Sequence, residues 1–211
     1  MVTAVKQATS RDGLAVRVAH HHNPYSYLLN DDDFDEMLLT IGLRRAESIW
    51  RNHTAAEHRA PRGVYGRACM AFVLMDPTLG SWVANEQAVM AAVLVGAGAE
   101  RFLPNAAAKA AGHRRLGRNY GEALHVDPHL CGTGGFRYGH SVQVRGVIAG
   151  SSSQTTDQDM FEARLLAEDF VQVLGERHRA WEDASGPGEW LADPDRPGPE
   201  LLSSTSWFPG L

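Results

Sequence analysis

The feature that most limits the fold is an unbroken apolar octet, Ala68-Cys69-Met70-Ala71-Phe72-Val73-Leu74-Met75, closed by Asp76-Pro77-Thr78-Leu79-Gly80. Eight apolar residues in a row, ended by a turn sequence, predict a buried strand rather than a surface one. After the turn, Ser81-Trp82-Val83-Ala84 is expected to pair back as a short strand. Before the octet, Thr54 to Gly66 mixes His, Arg, Pro and Gly without periodicity and reads as a loop.

Helices supply the cover. Asp31, Asp32 and Asp33 offer cap oxygens and negative charge, and Phe34, Met37, Leu38, Ile41, Ile49 and Trp50 follow at largely helical spacing, predicting a helix over about 32–53. Two more helices are expected over 86–94 and 105–124, separated by Gly96-Ala97-Gly98 and Pro104. Beyond Cys131-Gly132-Thr133-Gly134-Gly135, the run from Tyr138 to Ala149 predicts two strands meeting near Gln143 and Arg145. A last amphipathic helix, 157–181, places Phe161, Leu165, Leu166, Phe170, Val173 and Leu174 on one side. Residues 1–30 read as an N-terminal arm with one strand-like run, Leu14 to Val18. Residues 31–184 form the domain, and 185–211 a Gly/Pro-rich C-terminal tail.

The chain has 211 residues, which suits one core. Its formal charge is −5 and its basic residues are scattered, which argues against nucleic acid as a partner. Only Cys69 and Cys131 are present, so neither a disulfide framework nor a zinc ribbon can be built, and a reducing cytoplasm is expected. No secretory signal is visible, and the apolar stretch Ala88 to Val95 is too short to cross a bilayer, so no membrane association is expected. Frequent Ala, Arg and Gly with only two Lys fit a GC-rich bacterial genome.

From about residue 36 to 175 the chain resembles the GlcG/HbpS-like family, which includes the C-terminal domain of PduO-type proteins. The likeness rests on FVLMDPTLG (Phe72 to Gly80), on NAAAKAAGHRRLG (Asn105 to Gly117) with its Lys109-Ala110 dipeptide, and on GGFRYGHSVQVRGVIAGSSSQTTDQDMFEARLLAEDF (Gly134 to Phe170). Arg137-Tyr138-Gly139-His140 stands where the family has an apolar pair, and Ser151-Ser152-Ser153 where it has a Ser-Gly turn. The resemblance implies an α/β, profilin-like domain with a central antiparallel sheet flanked by helices, assembled as a homo-oligomer. Several family members bind heme.

On that basis Lys109, Arg114 and Arg115, with His113 on the same helix, are expected to form a cationic face for an anionic small molecule or the heme propionates. Gly134 and Gly135 allow close backbone approach, and Ser151, Ser152 and Ser153 shape the pocket floor. The Gly-rich loop matches neither a Walker nor a dinucleotide fingerprint. His129 and His140 are the candidate iron ligands, and His140 and His113 the candidate acid–base groups. His20-His21-His22 is a possible chelating run in the arm. Cys69 and Cys131 read as structural.

The leading expectation is a heme-associated small-ligand-binding protein, with or without redox chemistry on a small substrate. The alternatives are a cofactor-independent enzyme of specialised metabolism using His140 or His113, and a non-catalytic binding module. Whether the chain is an enzyme is not decided by the sequence. Lys109→Ala is expected to weaken ligand binding without unfolding the protein.

Overall fold

The computed structural model describes residues 5–131 and 138–186. Six strands form one antiparallel sheet: β1 (Lys6–Thr9), β2 (Ala15–His20), β3 (Met70–Met75), β4 (Val89–Val95), β5 (Val142–Val144) and β6 (Val147–Ser152), in spatial order β1-β2-β4-β3-β6-β5. Five α-helices accompany them: α1 (Asp31–His53), the single turn α2 (Asn85–Ala88), α3 (Leu103–Leu116), α4 (Tyr120–Val126) and α5 (Thr156–Ser185). This is an α/β protein with an antiparallel sheet flanked by helices. No described helix is long and apolar enough to cross a membrane.

The last six residues of the apolar octet become β3 near the middle of the sheet, all of them buried. Alternation along a strand sends Met70, Phe72 and Leu74 to one face and Ala71, Val73 and Met75 to the other, and both faces are covered. On the first face the core includes Phe34, Leu38, Ile41 and Ile49 of α1 with Leu166 and Phe170 of α5. The opposite face packs on Ala106 and Ala110 of α3, one helical turn apart. Small residues bring α3 close, and Gly150 of β6 completes the approach: a Cβ there would lie 2.1 Å from Ala106 O and 2.9 Å from Ala110 N.

Local chemistry explains the element ends. Asn30, rather than the three aspartates after it, caps α1 by accepting from Asp33 N–H, and Asp31–Asp33 occupy the first turn, where the helix dipole favours negative charge. Gly117 (φ 65°) ends α3, so the single helix expected over 105–124 is two. The β5–β6 hairpin turns on Arg145 (φ 47°) and Gly146 (φ 90°), the two left-handed residues a type I′ turn requires.

Three expectations are corrected. The helix expected over 86–94 is one turn followed by β4, because an apolar run this short fits a buried strand as well as a buried helix. Ser81–Ala84 forms no strand and lies in the turn before α2. The N-terminal arm is part of the sheet, since β1 pairs with β2 and β2 with β4, placing Val16 and Val18 in the main core.

The chain divides into a unit ending at Leu174 and another beginning at Gly175, ten residues before the expected tail. The described part of the second is the rest of α5 with Gly186, and within it His178 pairs with Glu182 at 3.5 Å. Residues 187–211 lie outside the described residues.

Because the obstacle at Gly150 is helix backbone rather than a pliable side chain, Gly150→Ala should lower unfolding stability by about 1–3 kcal/mol. Urea denaturation checks this, and an unchanged midpoint would mean that α3 does not need the close contact.

Candidate functional site

The first two turns of α5 bury polar groups where an amphipathic helix normally buries apolar ones: Gln158, Asp159 and Glu162 precede Ala163, Leu166, Ala167 and Phe170 on the buried face. Phe161 and Leu165, expected on the apolar side of this helix, are only half-buried. Asp159 is the centre of this arrangement. Its Oδ2 accepts from Lys109 Nζ of α3 at 2.6 Å, and its Oδ1 accepts from the backbone N–H groups of Ser153 (3.1 Å) and Gln154 (3.0 Å). Lys109 also donates to Ser151 O at 2.7 Å, and Ser151 Oγ donates to Asp159 O at 2.6 Å. Both charged side chains are at most 5% exposed. Burial pushes the Asp159 carboxyl above its ordinary range, against the pull of the Lys109 ammonium and the two amides.

The segment between β6 and α5 is held on every side. Ser153 Oγ donates to Cys69 O, and Gln154 Nε2 donates to Arg67 O (2.8 Å) and Cys69 O (3.2 Å). Thr155 and Gln158 form a capping box, with Gln158 N–H on Thr155 Oγ1 (3.4 Å) and Thr155 N–H on Gln158 Oε1 (3.3 Å). Further along α5, Glu162 receives Ser48 Oγ (2.7 Å), Tyr65 Oη (2.8 Å) and Arg45 Nη1 (3.3 Å), which ties α5 to α1.

Above the Lys109–Asp159 pair opens a cleft of about 450 Å³, lined also by Arg67, Phe102, Asn105, Tyr138 and Ser152 to Thr156. The Arg67 guanidinium lies 5.4 Å from the Phe102 ring centre and donates to Ser153 O at 2.6 Å. Polar groups dominate the walls, and Phe102 gives one flat apolar surface.

Of the residues selected from the sequence, Lys109, Ser152 and Ser153 line this cleft, and Ser151 meets Lys109 through its carbonyl. The expected cationic face does not form, because its members serve different contacts. Arg114 is buried and donates to Val83 O (2.8 Å), Asn85 Oδ1 (3.0 Å) and Gly80 O, fixing the turn before α2. Arg115 is exposed, with its guanidinium 5.5 Å from the Tyr120 ring centre. His113 is shut in, its Nδ1 2.8 Å from Ser141 Oγ, and burial pushes its imidazole below the ordinary value. His140 is half-buried against Gly121 and is likewise pushed down, first by burial and then by the charges of His125 and Lys109. His129 is exposed. Gly134 and Gly135 lie outside the described residues. Among the described residues, no group of three or more His, Cys, Asp or Glu is placed to hold a metal ion.

Asp159, Arg67 and Asn105 were not singled out by sequence reasoning. Asp159 carried a usable signal: with Glu162 it stands in the apolar register of α5, where a carboxylate requires a buried partner. Arg67 and Asn105 carried none, since their place on the cleft depends on how β3 and α3 pack.

No protein-family model matches the chain, and comparisons with curated proteins and with solved structures return no match.

The burial of Lys109 changes what its removal should do. Lys109→Ala leaves a carboxylate enclosed without its ammonium, so a loss of about 3–5 kcal/mol in unfolding stability is expected at neutral pH. A chemical denaturation curve matching that of the unaltered protein would show that the pair does not form.

Proposed function

We propose that the protein binds a small organic molecule with an anionic or strongly polar head group in the cleft between α3 and the start of α5. The observation that carries this reading is the cleft's donor set. Arg67, Asn105, Thr155 and Thr156 line it, and it lies at the start of the long helix α5. The Lys109–Asp159 pair is the floor; its ammonium is already matched by a carboxylate, so it fixes the cleft's shape more than it supplies charge. Phe102 offers a surface for the apolar part of the ligand. The sheet with helices on both faces is read as profilin-like, in keeping with the resemblance to the GlcG/HbpS-like family. Two unpaired, buried cysteines suit a reducing cytoplasm.

Heme, which the resemblance implies, fits the described residues poorly. No His, Cys or Met lines the cleft, His113 is closed against Ser141, and the walls are polar where a macrocycle needs apolar surface. Tyr138 is the one lining residue of a type that ligates heme iron.

One observation favours catalysis as a second reading. Burial, and after it the charges of His125 and Lys109, push the His140 imidazole below its ordinary value, which favours the unprotonated form a general base requires.

The test is a ligand screen of small carboxylates and phosphate esters followed by backbone NMR. Bound ligands should shift the amide signals of Asn105, Thr155 and Thr156. Arg67→Ala should weaken them at least tenfold with little change in melting temperature, because the residue is exposed. Ligands that shift signals elsewhere, or bind Arg67→Ala as well as the unaltered chain, would overturn the reading. Conversion of a bound ligand, lost in His140→Asn while affinity persists, would select the catalytic reading.

A further inference from the structure

The end of β2 places three successive histidines in three different settings. His20 is buried, with Nδ1 2.6 Å from Asp35 Oδ1 and its ring edge-on to Phe34. It anchors the strand and is unavailable. His21 is exposed, and its backbone N–H donates to Met90 O at 2.8 Å, which extends the pairing with β4 one residue past the strand. His22 Nε2 lies 2.6 Å from Asp76 Oδ2. Asp76 is itself fixed, because its Oδ1 accepts from Thr78 N–H and Thr78 Oγ1, each at 2.7 Å, and its side chain is 2% exposed.

The Asp76 oxygen beside Nε2 favours the His22 tautomer with its proton there, which leaves an Nδ1 lone pair on the side of His21. That lone pair faces His21 Nδ1 at 3.5 Å, with the two rings 82° apart. Two nitrogens each about 2.0–2.1 Å from a tetrahedral zinc ion stand roughly 3.3–3.4 Å from each other. The spacing between the rings is thus close to that of two ligands on one ion. A carboxylate on the far nitrogen of a ligating histidine is the usual outer-shell partner, and it fixes tautomer and ring orientation.

We propose that His21 and His22 form a two-imidazole site for a divalent transition ion of the zinc type, oriented by Asp76. His21 binds through Nδ1 after its proton moves to Nε2, His22 binds through Nδ1, and water fills the remaining positions because His21 is exposed and His22 partly so. Imidazole nitrogen suits zinc and its neighbours and excludes magnesium and calcium as the preferred ions. None of these residues lines the ligand cleft, so the site is independent of the reading given above.

Calorimetric titration of the full chain with zinc chloride tests this. One equivalent should bind and be removed by EDTA. His21→Ala and His22→Ala should each weaken binding at least tenfold, and Asp76→Asn ten- to hundredfold, while His58→Ala, an exposed histidine elsewhere, should leave it unchanged. His21 is exposed, so its variant keeps the fold, which circular dichroism verifies. Absence of saturable binding, or His21→Ala binding zinc as the unaltered protein does, overturns the proposal.

Discussion

The contact on which the rest depends is the enclosed pair between Lys109 of α3 and Asp159 of α5. It joins the two helices at the end of β6, and its accessory bonds, from Lys109 to Ser151 O and from the Ser153 and Gln154 amides to Asp159, pin that strand end and the chain that follows. An ion pair so buried carries a desolvation cost that its mutual attraction offsets only with good geometry and further hydrogen bonds, and here the ammonium has two acceptors and the carboxylate three donors. Burial still pushes the Asp159 carboxyl up, so the carboxylate depends on Lys109 staying in place.

The geometry around that pair follows from the sheet. A strand buried on both faces needs helices on both sides, and the two sides are covered differently. Large residues of α1 and α5 pack against Met70, Phe72 and Leu74, whereas α3 meets Ala71, Val73 and Gly150 through alanines. The closer approach on the second side brings Lys109 over the end of β6. The cleft opens where the alanine contact ends and the longer side chains Asn105 and Phe102 begin. The cleft wall and the packing surface of α3 are therefore continuous.

Much of this was legible in the residues. The apolar octet specified the buried strand, Asp31–Asp33 marked the start of α1, and the stripe through Leu166 and Phe170 marked α5. What was not legible has physical causes. The run over 86–94 satisfies helix and strand alike, and its pairing between β2 and β3 decides the matter. The arm carried only a weak strand signal because β1 is four residues long at the sheet edge. At the site, Lys109 was found but as a member of a cationic face, and Ser151 and Ser152 were found as the pocket floor. A helical reading that places Lys109, His113, Arg114 and Arg115 close together in sequence cannot say which of them turns inward. In the fold Lys109, His113 and Arg114 all do, each to a different partner, and only Arg115 stays outside. The carboxylate that neutralises Lys109 lies fifty residues away, so the loss of free charge at the cleft floor could be seen only in three dimensions.

The central claim is that Lys109 and Asp159 act as one unit, and a double-mutant cycle measures this directly. Stabilities of the unaltered chain, Lys109→Met, Asp159→Leu and the double variant would be taken from denaturant unfolding at neutral pH. The account predicts that each single change is severe and that the double variant is more stable than the sum of the two losses by about 2 kcal/mol or more, since two apolar side chains leave no charge enclosed. Additive losses would contradict it, because they would mean that the two groups do not meet in the folded protein.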